Sequence, residues 1–505
     1  MAKEEYFEKY IEKEYQEEAS LGKRAVIGGI WVFALKIVSR VSELIRTIIL
    51  ARLLSPNDFG LMGVAMLTIG MLETFSRTGI ESALIQRKNS VEECLDTAWT
   101  MLVVRSLIIF ALLYFGAPVV AHFFNSPRAL HIVRVLAFIE LFRGAKNIGT
   151  IYFPKELRFD KGFVLDLGGL IVNLCVSIIL AFRLRNVWAL VYGSLSGVFT
   201  IFVMSYILQP YRPKLRFKRK EAKELLDFGK WLLGSSILGF FVVQGDDVFV
   251  GKVLGITALG FYQMAYRLSN LPATEITHVI SRVTFPIYSK IQDNIPRLRD
   301  AYLKVLQLTV FLSFPLAGLI FVLAPDFTII FLGEKWMPMV PAMQVLALFG
   351  AIRSIGATTG PLFYALGKPE ILPKFQIWQL TLLVVSIFPL TMRWGILGTS
   401  ISVVFAAIVP NLMVYNVVIS VIKCRSYEFW KMIAFPFLAA MIAAVAVTLI
   451  RPVFAPLKGV YNFSALIVTS LMAYAFSVFI FDKLFNCDII KTIQEYFSFD
   501  LSGRQ

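Results

Sequence analysis

The sequence predicts an all-α polytopic membrane protein with about fourteen transmembrane helices, arranged as two six-helix lobes in pseudo-twofold symmetry around a central cavity, plus two C-terminal helices. Hydrophobic residues make up 57% of the 505 residues and charged residues only 17%, a balance typical of membrane proteins. Apolar stretches long enough to cross a bilayer recur from about residue 25 to about residue 482. These stretches should be helices, because a lipid-exposed chain must satisfy its backbone hydrogen bonds internally.

The predicted spans are separated by short connections and lie at about 25–52, 59–84, 95–120, 129–152, 162–183, 187–209, 229–253, 258–284, 300–324, 338–365, 371–392, 395–421, 430–450 and 461–481. Residues 1–24 are acidic and lack the apolar core of a signal peptide, so we expect a cytoplasmic segment that forms either an amphipathic surface helix or a solubilising tail. Residues 483–505 are expected to form a cytoplasmic tail. The four cysteines are dispersed, and we expect neither a disulfide nor a metal site.

Basic residues orient the chain, because short cytoplasmic loops of membrane proteins collect Lys and Arg. With both termini in the cytoplasm, the dense run from Arg212 to Lys220 falls in a cytoplasmic linker, predicted over residues 210–228 of a protein of the cytoplasmic membrane. This bias, together with attraction to anionic membrane lipids, explains the net charge of +16 without a nucleic-acid partner. A solvated basic face is the favoured interpretation of the linker, ahead of a specific docking site.

An internal repeat divides the chain into two halves. When the sequence is shifted by 200 positions, Trp31 aligns with Trp231 and Gly60 with Gly260, and both segments read as helix, tight turn, helix. The predicted domains are an N-lobe over 25–209, a C-lobe over 229–422 and a terminal helix pair over 423–482. An even number of helices in each half brings both repeats into the membrane from the same side, which predicts two lobes around a central cavity.

Two sequence blocks resemble a known family. The first, ARLLSPNDFGLMGVAMLTIGMLETFSRTGIESALIQR at residues 51–87, resembles the opening signature of the Wzx-type oligosaccharide flippases of the multidrug/oligosaccharidyl-lipid/polysaccharide (MOP) exporter superfamily. The second, VVQGDDVFVGKVLGITALGFYQMAYRLSNLP at residues 242–272 followed by SRVTFPIYSKI, resembles the start of that family's second lobe. The resemblance implies a V-shaped cavity and transport of a polyprenyl (undecaprenyl)-diphosphate-linked oligosaccharide for O-antigen, capsule or exopolysaccharide synthesis. It also implies membrane lipids and the polysaccharide polymerase machinery as partners.

Charged residues inside the predicted spans are candidates for substrate binding, because a charge at the bilayer centre costs on the order of 3 kcal/mol unless it faces water or protein. In the first span, Lys36, Arg40, Glu43 and Arg46 fall within an arc of about 120°. We expect this stripe to line the cavity. The alternatives are an ion pair between Arg40 and Glu43 and an Arg46 side chain that extends to the membrane surface.

A second stripe is predicted in the next span, where Glu73, Arg77 and Glu81 recur at four-residue intervals, and isolated cations follow at Arg105, Arg134, Arg143, Arg267 and Arg353. Guanidinium groups bind phosphate oxygens through paired hydrogen bonds, so a cavity lined by cations suits a diphosphate. The predicted substrate-binding cations are Lys36, Arg40, Arg46, Arg77, Arg143, Arg267 and Arg353. For each single arginine, an extended position at a helix end or a pairing between the lobes is the alternative.

Carboxylates are the candidates for coupling or gating, and the predicted set is Glu43, Glu73, Asp246, Asp247 and Glu275. Acidic side chains in a transport pathway can bind H⁺ or Na⁺ as the lobes move. The rival interpretation is a salt bridge across the lobe interface that opens and closes without carrying an ion. No cofactor is expected beyond such a coupling ion.

Other functions fit the sequence less well. A lipid II flippase is chemically close, because its substrate is also a polyprenyl diphosphate, and only the signature blocks favour oligosaccharide units. Multidrug antiporters of the same superfamily often carry organic cations, which a basic cavity would oppose. A membrane-bound polysaccharide polymerase or glycosyltransferase usually needs a large extramembrane loop or an acidic catalytic cluster, and the outer connections here are all short. We therefore predict a transporter and not an enzyme.

Overall fold

The structure is a computed structural model that describes residues 31–485, with gaps at 32, 78, 87–90, 157, 455 and 458. The side chains at 86, 91, 224–233, 235, 271–273, 275–279 and 281–283 also lie outside the described part. The predicted segment 1–24, the tail from residue 486 onward and the Glu275 side chain therefore fall outside the described residues. Within the described residues, every regular element is helical, as the sequence predicts.

The chain divides into two compact units, one up to Ile237 and one from Leu238 onward. The helices of the first unit are α1 (31–53), α2 (Pro56–Phe75), α3 (Ile80–Gln86), α4 (Val91–Phe123), α5 (Pro127–Ala145), α6 (Tyr152–Lys155), α7 (Phe159–Leu184), α8 (Trp188–Leu208) and the first part of α9 (Arg219–Val253). The second unit holds the rest of α9, α10 (Ile256–Ile291), α11 (Ile295–Phe327), α12 (Val340–Ala365), α13 (Ile371–Val421), α14 (Ser426–Phe454) and α15 (Val460–Phe485). Short helical turns occupy Ile148–Ile151, Thr328–Leu332 and Glu334–Met339.

The long helices follow the predicted spans. A helix is present at each predicted position when the two parts of α13 are counted separately. Among the described residues, nine helices are long and apolar enough to cross a membrane. The chain is therefore an all-α, multi-pass membrane protein, and the number of about fourteen crossings stays a prediction.

A glycine divides α13 into two helices. Gly395 has φ 59°, a conformation that costs a residue with a side chain far more than it costs glycine. The hydroxyls of Thr391 and Thr399 share a hydrogen bond of 2.9 Å across this break. A Cβ added at Gly398 would lie 1.9 Å from the carbonyl oxygen of Leu390, so the two helices approach closely here. The break separates the predicted spans 371–392 and 395–421.

The predicted span at 59–84 is wrong in its second half. α2 ends at Phe75, and α3 begins at Ile80 after Gly79, whose φ is 65°. Arg105 of α4 stabilises this end: its Nε donates to Ser76 Oγ at 3.1 Å and its Nη2 to the Glu73 carbonyl at 3.0 Å. A cation at a helix C-terminus satisfies carbonyls that have no partner within the helix. Since the helix stops here, Glu73, Arg77 and Glu81 do not form a stripe on one helix.

The segment SPND fixes the start of α2. The Asp58 N–H donates to Ser55 Oγ at 3.3 Å and the Ser55 N–H donates to Asp58 Oδ2 at 2.9 Å, which is a reciprocal capping box with Pro56 in the first turn. The other carboxylate oxygen of Asp58 accepts a 3.0 Å hydrogen bond from the Val187 N–H, between α7 and α8. One aspartate thus caps α2 and ties it to the connection of a distant helix pair.

Small residues bring α7 and α8 together. A Cβ added at Gly193 would lie 2.6 Å from the Ser177 Cβ, and one added at Gly197 would lie 2.9 Å from the Gly169 carbonyl oxygen. Such close backbone approach is typical of helix pairs in membranes, where packing replaces the hydrophobic effect. This pair forms the support for Asn173, which lies on α7.

The last two helices pack on α11 within the second unit. Tyr474 of α15 donates its hydroxyl to the Phe311 carbonyl at 2.9 Å. Arg451 of α14 donates through Nη2 to Asp326 Oδ2 at 2.5 Å and to the Val322 carbonyl at 3.1 Å. These contacts attach each helix of the terminal pair to one neighbouring helix.

Candidate functional site

The charged stripe of α1 lies on the half-buried face of that helix. Lys36, Arg40, Glu43 and Arg46 are all half-buried, while the opposite face exposes apolar side chains such as Val41 and Ile45. Exposed apolar residues on a membrane helix suit contact with lipid, so the stripe faces protein or water, as its spacing predicts. The Arg40 Nη1 contacts Glu43 Oε2 at 3.1 Å, which is the ion pair considered as an alternative.

A cavity of about 200 Å³ lies between this stripe and α7. It is lined on α1 by Ser39, Ser42, Glu43 and Arg46, and on α7 by Asn173 and its apolar neighbours. Arg46 Nη1 donates a hydrogen bond to Asn173 Oδ1. Arg46 therefore points into the protein and does not extend along the helix to the membrane surface.

Arg143 of α5 is the centre of an ion network in the first unit. Its Nη1 contacts Glu73 of α2 and lies 3.1 Å from Glu140 Oε1, one turn earlier on its own helix. Glu140 is only 3% exposed, whereas the side chains of Arg143 and Glu73 are about one-third exposed. A buried carboxylate and a half-exposed carboxylate thus share one guanidinium. Two of the cations expected to be isolated, Arg105 and Arg143, both contact Glu73.

A second cavity, of about 390 Å³, opens where α2 ends. Glu73, Arg77, Glu81 and Arg105 all line it, together with small and hydroxyl side chains. The broken helix therefore brings the predicted charges of this region around one space, although they are not on one helix face. The lining contains two guanidinium groups and two carboxylates, so its charge is mixed and not mainly positive as expected.

In the second unit, Asp246 and Asp247 lie inside α9 and face α10. Asp246 is 2% exposed and accepts a 2.5 Å hydrogen bond from the Tyr262 hydroxyl. The Gln263 side chain lies beside Asp247. The Oδ1 atom of Asp247 is buried and has no hydrogen-bond partner among the residues that the structure describes. Both carboxylates lie inside the second unit, and neither has an arginine among these partners.

A third cavity, of about 310 Å³, lies wholly in the second unit. Arg353 of α12 lies in its wall beside Tyr266. Facing these are three side-chain amides, from Gln376, Gln379 and Asn411, and the aromatic ring of Phe349. Amide groups both donate and accept hydrogen bonds, so this wall combines polar recognition with apolar surface.

The remaining predicted cations lie on helices that are already described. Lys36 lies one turn before Arg40, and Arg267 is half-buried on α10, next to Tyr266 in the sequence. Arg134 has a packing role, because its Nε donates to the Tyr114 carbonyl at 3.3 Å and its guanidinium lies 5.2 Å from the centre of that ring. The Glu275 side chain lies outside the described residues.

Several site residues were not predicted from the sequence. Glu140 lies three positions before Arg143, a spacing that favours an ion pair on a helix and could have indicated it. Asn173 is a single amide in an apolar span, and Gln376 and Gln379 are three positions apart on one helix face. Polar side chains inside membrane helices are costly, so each of these amides was a signal of a polar cavity.

Comparison with known proteins shows which family the chain belongs to. A family profile described as "Polysaccharide biosynthesis protein" matches residues 49–341, which is more than half of the chain. The chain belongs to this family. The matched region contains the Glu73 cavity, the Arg143 network and the Asp246–Asp247 pair of this polysaccharide biosynthesis protein.

Relatives of this chain align over most of its length. The lipopolysaccharide biosynthesis protein WzxC of Escherichia coli K12 is 25% identical over 413 residues, which cover 81% of this chain and 84% of WzxC. The teichuronic acid biosynthesis protein TuaB of Bacillus subtilis is 25% identical over 422 residues, 83% of this chain and 87% of TuaB. The succinoglycan biosynthesis transport protein ExoT of Rhizobium meliloti is 23% identical over 325 residues, 64% of this chain and 66% of ExoT.

Solved structures establish the fold. The lipid II flippase MurJ, in an inward closed conformation, has a TM-score of 0.73 at 16% identity, covering 91% of this chain and 99% of MurJ. A multidrug resistance MATE family transporter of the MOP superfamily, in an inward-facing conformation, has a TM-score of 0.61 at 19% identity, covering 76% of this chain and 96% of the transporter. The polysaccharide biosynthesis protein therefore has the fold of these transporters, as the sequence resemblance predicts.

Proposed function

We propose that this polysaccharide biosynthesis protein is a flippase that carries polyprenyl-diphosphate-linked oligosaccharide repeat units across the cytoplasmic membrane by alternating access. The repeat units would supply synthesis of a surface polysaccharide such as O-antigen, capsule or exopolysaccharide. The observation that carries the proposal is the contact of Arg143 with Glu73 and Glu140, next to a charged cavity of about 390 Å³ among membrane helices. Charged groups are costly in a membrane and mark transport pathways.

The proposed binding step is an exchange of ion-pair partners. A diphosphate has concentrated negative charge, and guanidinium groups bind its oxygens through paired hydrogen bonds. Arg77 and Arg105 line the Glu73 cavity, and Arg143 contacts Glu73 from the side. In the proposal, the diphosphate replaces Glu73 as the partner of these cations. The proposal also assigns Lys36, Arg40 and Arg46 on α1 to binding of the anionic substrate.

Proton coupling follows from the same exchange. When Glu73 or Glu140 takes up a proton, one negative charge beside Arg143 disappears and the guanidinium becomes available to the diphosphate. Loss of the proton restores the ion pair and favours release of the substrate. Glu43 is placed to act in the same way on Arg40, which it contacts at 3.1 Å. The single proton thus changes the affinity for the anion without any covalent chemistry.

The carboxylates of the second unit are the alternative site for a coupling ion. Asp246 and Asp247 are adjacent on α9, and Asp247 Oδ1 is a buried oxygen without a hydrogen-bond partner in the described part of the chain. Either H⁺ or Na⁺ can neutralise such a pair, because carboxylate oxygens bind both.

The amide-rich cavity of the second unit is proposed to contact the glycan. Gln376, Gln379 and Asn411 can exchange hydrogen bonds with sugar hydroxyls, and the rings of Tyr266 and Phe349 can pack against the apolar faces of sugars. Arg353 in the same wall suits an acidic sugar, and Arg267 lies next to Tyr266 in the sequence. In this proposal, both termini are cytoplasmic, and the polysaccharide polymerase machinery receives the substrate on the outer side.

A lipid II flippase is the second candidate function. Its support is the fold shared with MurJ, at a TM-score of 0.73 over 91% of this chain. The two candidates differ in the glycan attached to the same kind of polyprenyl diphosphate, so the substrate itself distinguishes them.

The test is flipping of a fluorescent undecaprenyl-diphosphate oligosaccharide in proteoliposomes, with and without a pH or Na⁺ gradient. Arg143→Ala should reduce the rate by about tenfold or more, because a charged hydrogen bond to the diphosphate is lost. Arg128→Ala is the matched control, since Arg128 is an exposed arginine at the start of the same helix. Faster flipping of lipid II than of the oligosaccharide would favour the second candidate. Equal rates for wild type and Arg143→Ala would remove the network from the substrate pathway.

A further inference from the structure

The connection between α8 and α9 is a non-helical strap, residues 209–218, which contains the basic sequence RPKLRFK. Its sequence alone favours a solvated basic loop. α9 begins at Arg219, inside the predicted linker, so the non-helical part is short. The structure shows that this strap is fixed to the first unit along its whole length.

The first end of the strap is fixed by a buried asparagine. Asn147, fully buried between α5 and α6, donates through Nδ2 to the Tyr211 carbonyl at 2.7 Å. Gln209 donates through Nε2 to the Gly149 carbonyl at 2.6 Å, and the Tyr211 hydroxyl donates to Asp96 Oδ1 at 2.6 Å. Burial and the acceptor Asp96 raise the pKa of Tyr211 above its ordinary value, so the phenol keeps the proton that it donates.

The middle of the strap is fixed through its backbone. The N–H groups of Lys214, Arg216 and Lys218 donate to side chains near the start of α4, at 2.9, 3.0 and 3.4 Å. The acceptors are Asp96, Thr100 and Thr97, respectively. Donors two residues apart that point the same way indicate an extended chain, whose side chains alternate between two faces.

The second end is fixed where α9 starts. Glu221, nearly buried, accepts a hydrogen bond from Thr97 Oγ1 at 2.7 Å and contacts Lys218 Nζ at 2.8 Å. The anchoring thus uses the backbone of the strap and a few polar side chains of α4 and α9. The side chains of Lys214 and Arg216 are exposed and are not needed for any of these backbone bonds.

The exposed side chains of the strap are amphipathic. Leu215 is 74% exposed and Phe217 is 58% exposed, and by alternation they lie on the face opposite Lys214 and Arg216. Arg219 and Lys220 add two exposed cations directly after the strap. Large exposed apolar side chains next to the ends of two membrane helices suit the boundary between acyl chains and headgroups.

We propose that the strap is a preorganised binding surface for anionic phospholipids, with Leu215 and Phe217 in the acyl-chain boundary and the basic side chains at the level of the lipid phosphates. Each Lys or Arg near an anionic membrane surface attracts it, and an apolar face adds the burial that a purely basic loop lacks. Since the backbone is already fixed, little conformational entropy is lost when lipid binds. This inference is independent of the transported substrate.

The experiment uses the full chain in liposomes and a fluorescence probe at the strap. Phe217→Trp places an indole on the apolar face, and its signal is taken as the difference from the parent chain, which has eight tryptophans. Brominated acyl chains quench the indole on contact, and they are supplied on phosphatidylglycerol or on phosphatidylcholine at equal mole fraction. We expect quenching in both mixtures, several-fold stronger with brominated phosphatidylglycerol, and a preference that weakens as salt is raised.

Two further variants separate charge from insertion. Lys214→Gln with Arg216→Gln should reduce the several-fold preference for the anionic lipid to near parity while quenching by the neutral lipid remains, because each cation near the membrane surface contributes roughly a fivefold factor to the attraction. The matched control is Arg297→Gln with Arg425→Gln, which removes two exposed arginines elsewhere and should leave the preference unchanged. Native mass spectrometry of the unsubstituted protein checks the result without any substitution in the strap. The expected result is that more phosphatidylglycerol than phosphatidylcholine stays bound.

Three outcomes would overturn the proposal. Without quenching in either mixture, Phe217 would not contact acyl chains. Equal quenching by the two lipids would show that the cations do not select headgroups. If millimolar soluble pyrophosphate at constant ionic strength abolished the preference, the strap would be a site for a free diphosphate and not a lipid surface.

Discussion

Arg143 on α5 contacts Glu73, which lies 70 residues earlier in the sequence on α2, and it also holds Glu140 of its own helix at 3.1 Å. One guanidinium therefore contacts two carboxylates, one buried and one open to a cavity. Because only one full negative charge is balanced, either a proton or the nearby Arg105 must compensate for the second. This imbalance is the reason for placing the proposed proton coupling at this network.

Glu140→Gln should uncouple transport from the pH gradient. The amide keeps the size of the side chain but cannot exchange a proton, so the gradient-driven increase in flipping should fall at least about fivefold, the lower range of coupling between two ligands. The measurement is the ratio of initial flipping rates with and without a pH gradient. Glu156→Gln, at an exposed carboxylate after α6, is the control. If both variants respond to the gradient like the parent chain, the coupling carboxylate lies elsewhere, with Asp246 and Asp247 the next pair to substitute.

Asp58→Ala should destabilise the protein more than Ser55→Ala does. Loss of the Ser55 hydroxyl removes one half of the capping box and costs about 1 kcal/mol. Loss of Asp58 removes the other half and also the acceptor of the Val187 N–H, which adds roughly 1 kcal/mol. Thermal unfolding of the purified variants in one detergent gives both values. Equal midpoints for the two variants would show that the contact with Val187 contributes nothing.

Gly193→Ala should weaken the packing of α7 on α8. The added Cβ would lie 2.6 Å from the Ser177 Cβ and 3.1 Å from its Cα, so the helices must separate at a cost of about 1–3 kcal/mol. Gly116→Ala in α4 is the control, because no atom lies within 4 Å of that Cβ position. Removing a helical glycine without a clash should stabilise by up to about 1 kcal/mol. Unfolding midpoints that move in the same direction for both variants would contradict the packing argument.

The Cys424 thiol should react slowly with alkylating reagents near neutral pH. Burial, and then the hydrogen bond from Sγ to Glu428 Oε2, raise the pKa of Cys424 to about 11. A raised thiol pKa leaves roughly one molecule in a thousand as thiolate at pH 8, and alkylation should accelerate as the pH approaches 11. Peptide-level mass spectrometry of iodoacetamide labelling between pH 8 and pH 10 measures this. Glu428→Gln should increase the rate at pH 8 by a few-fold, while a plateau in the parent chain by pH 9 would contradict the raised pKa.

The sequence was sufficient for features set by spacing along one helix. The α1 stripe could be predicted because Lys36, Arg40 and Arg46 share a face at helical spacing, and the structure shows all three residues half-buried. The same rule failed at Glu73, Arg77 and Glu81, because it assumes an unbroken helix. The end of α2 depends on Gly79 and on capping by Arg105, a residue of a different helix. The ends of such helices depend on contacts with other helices, and the periodicity of the sequence does not reveal these contacts.

Features that depend on tertiary contacts could not be predicted from the sequence. The basic strap has the composition of a solvated loop, and its fixed position depends on Asp96 and Thr97, more than 100 residues earlier. The cavity with Gln376, Gln379 and Asn411 is assembled from separate helices, so each amide alone gave no position in space. Helical spacing could have indicated the pairing of Arg143 with Glu140, whereas it could not indicate the contact of Arg143 with Glu73 on another helix.

The contacts of Tyr474 and Arg451 with α11 make the terminal helix pair a suitable place to attach a probe of the second unit. Because α14 and α15 are each bonded to α11, we expect the pair to move together with that helix. A fluorophore attached near the end of α15 therefore reports the displacement of the second unit itself. Single-molecule distance measurements with this fluorophore can follow the transport cycle without labelling any residue near the charged cavities.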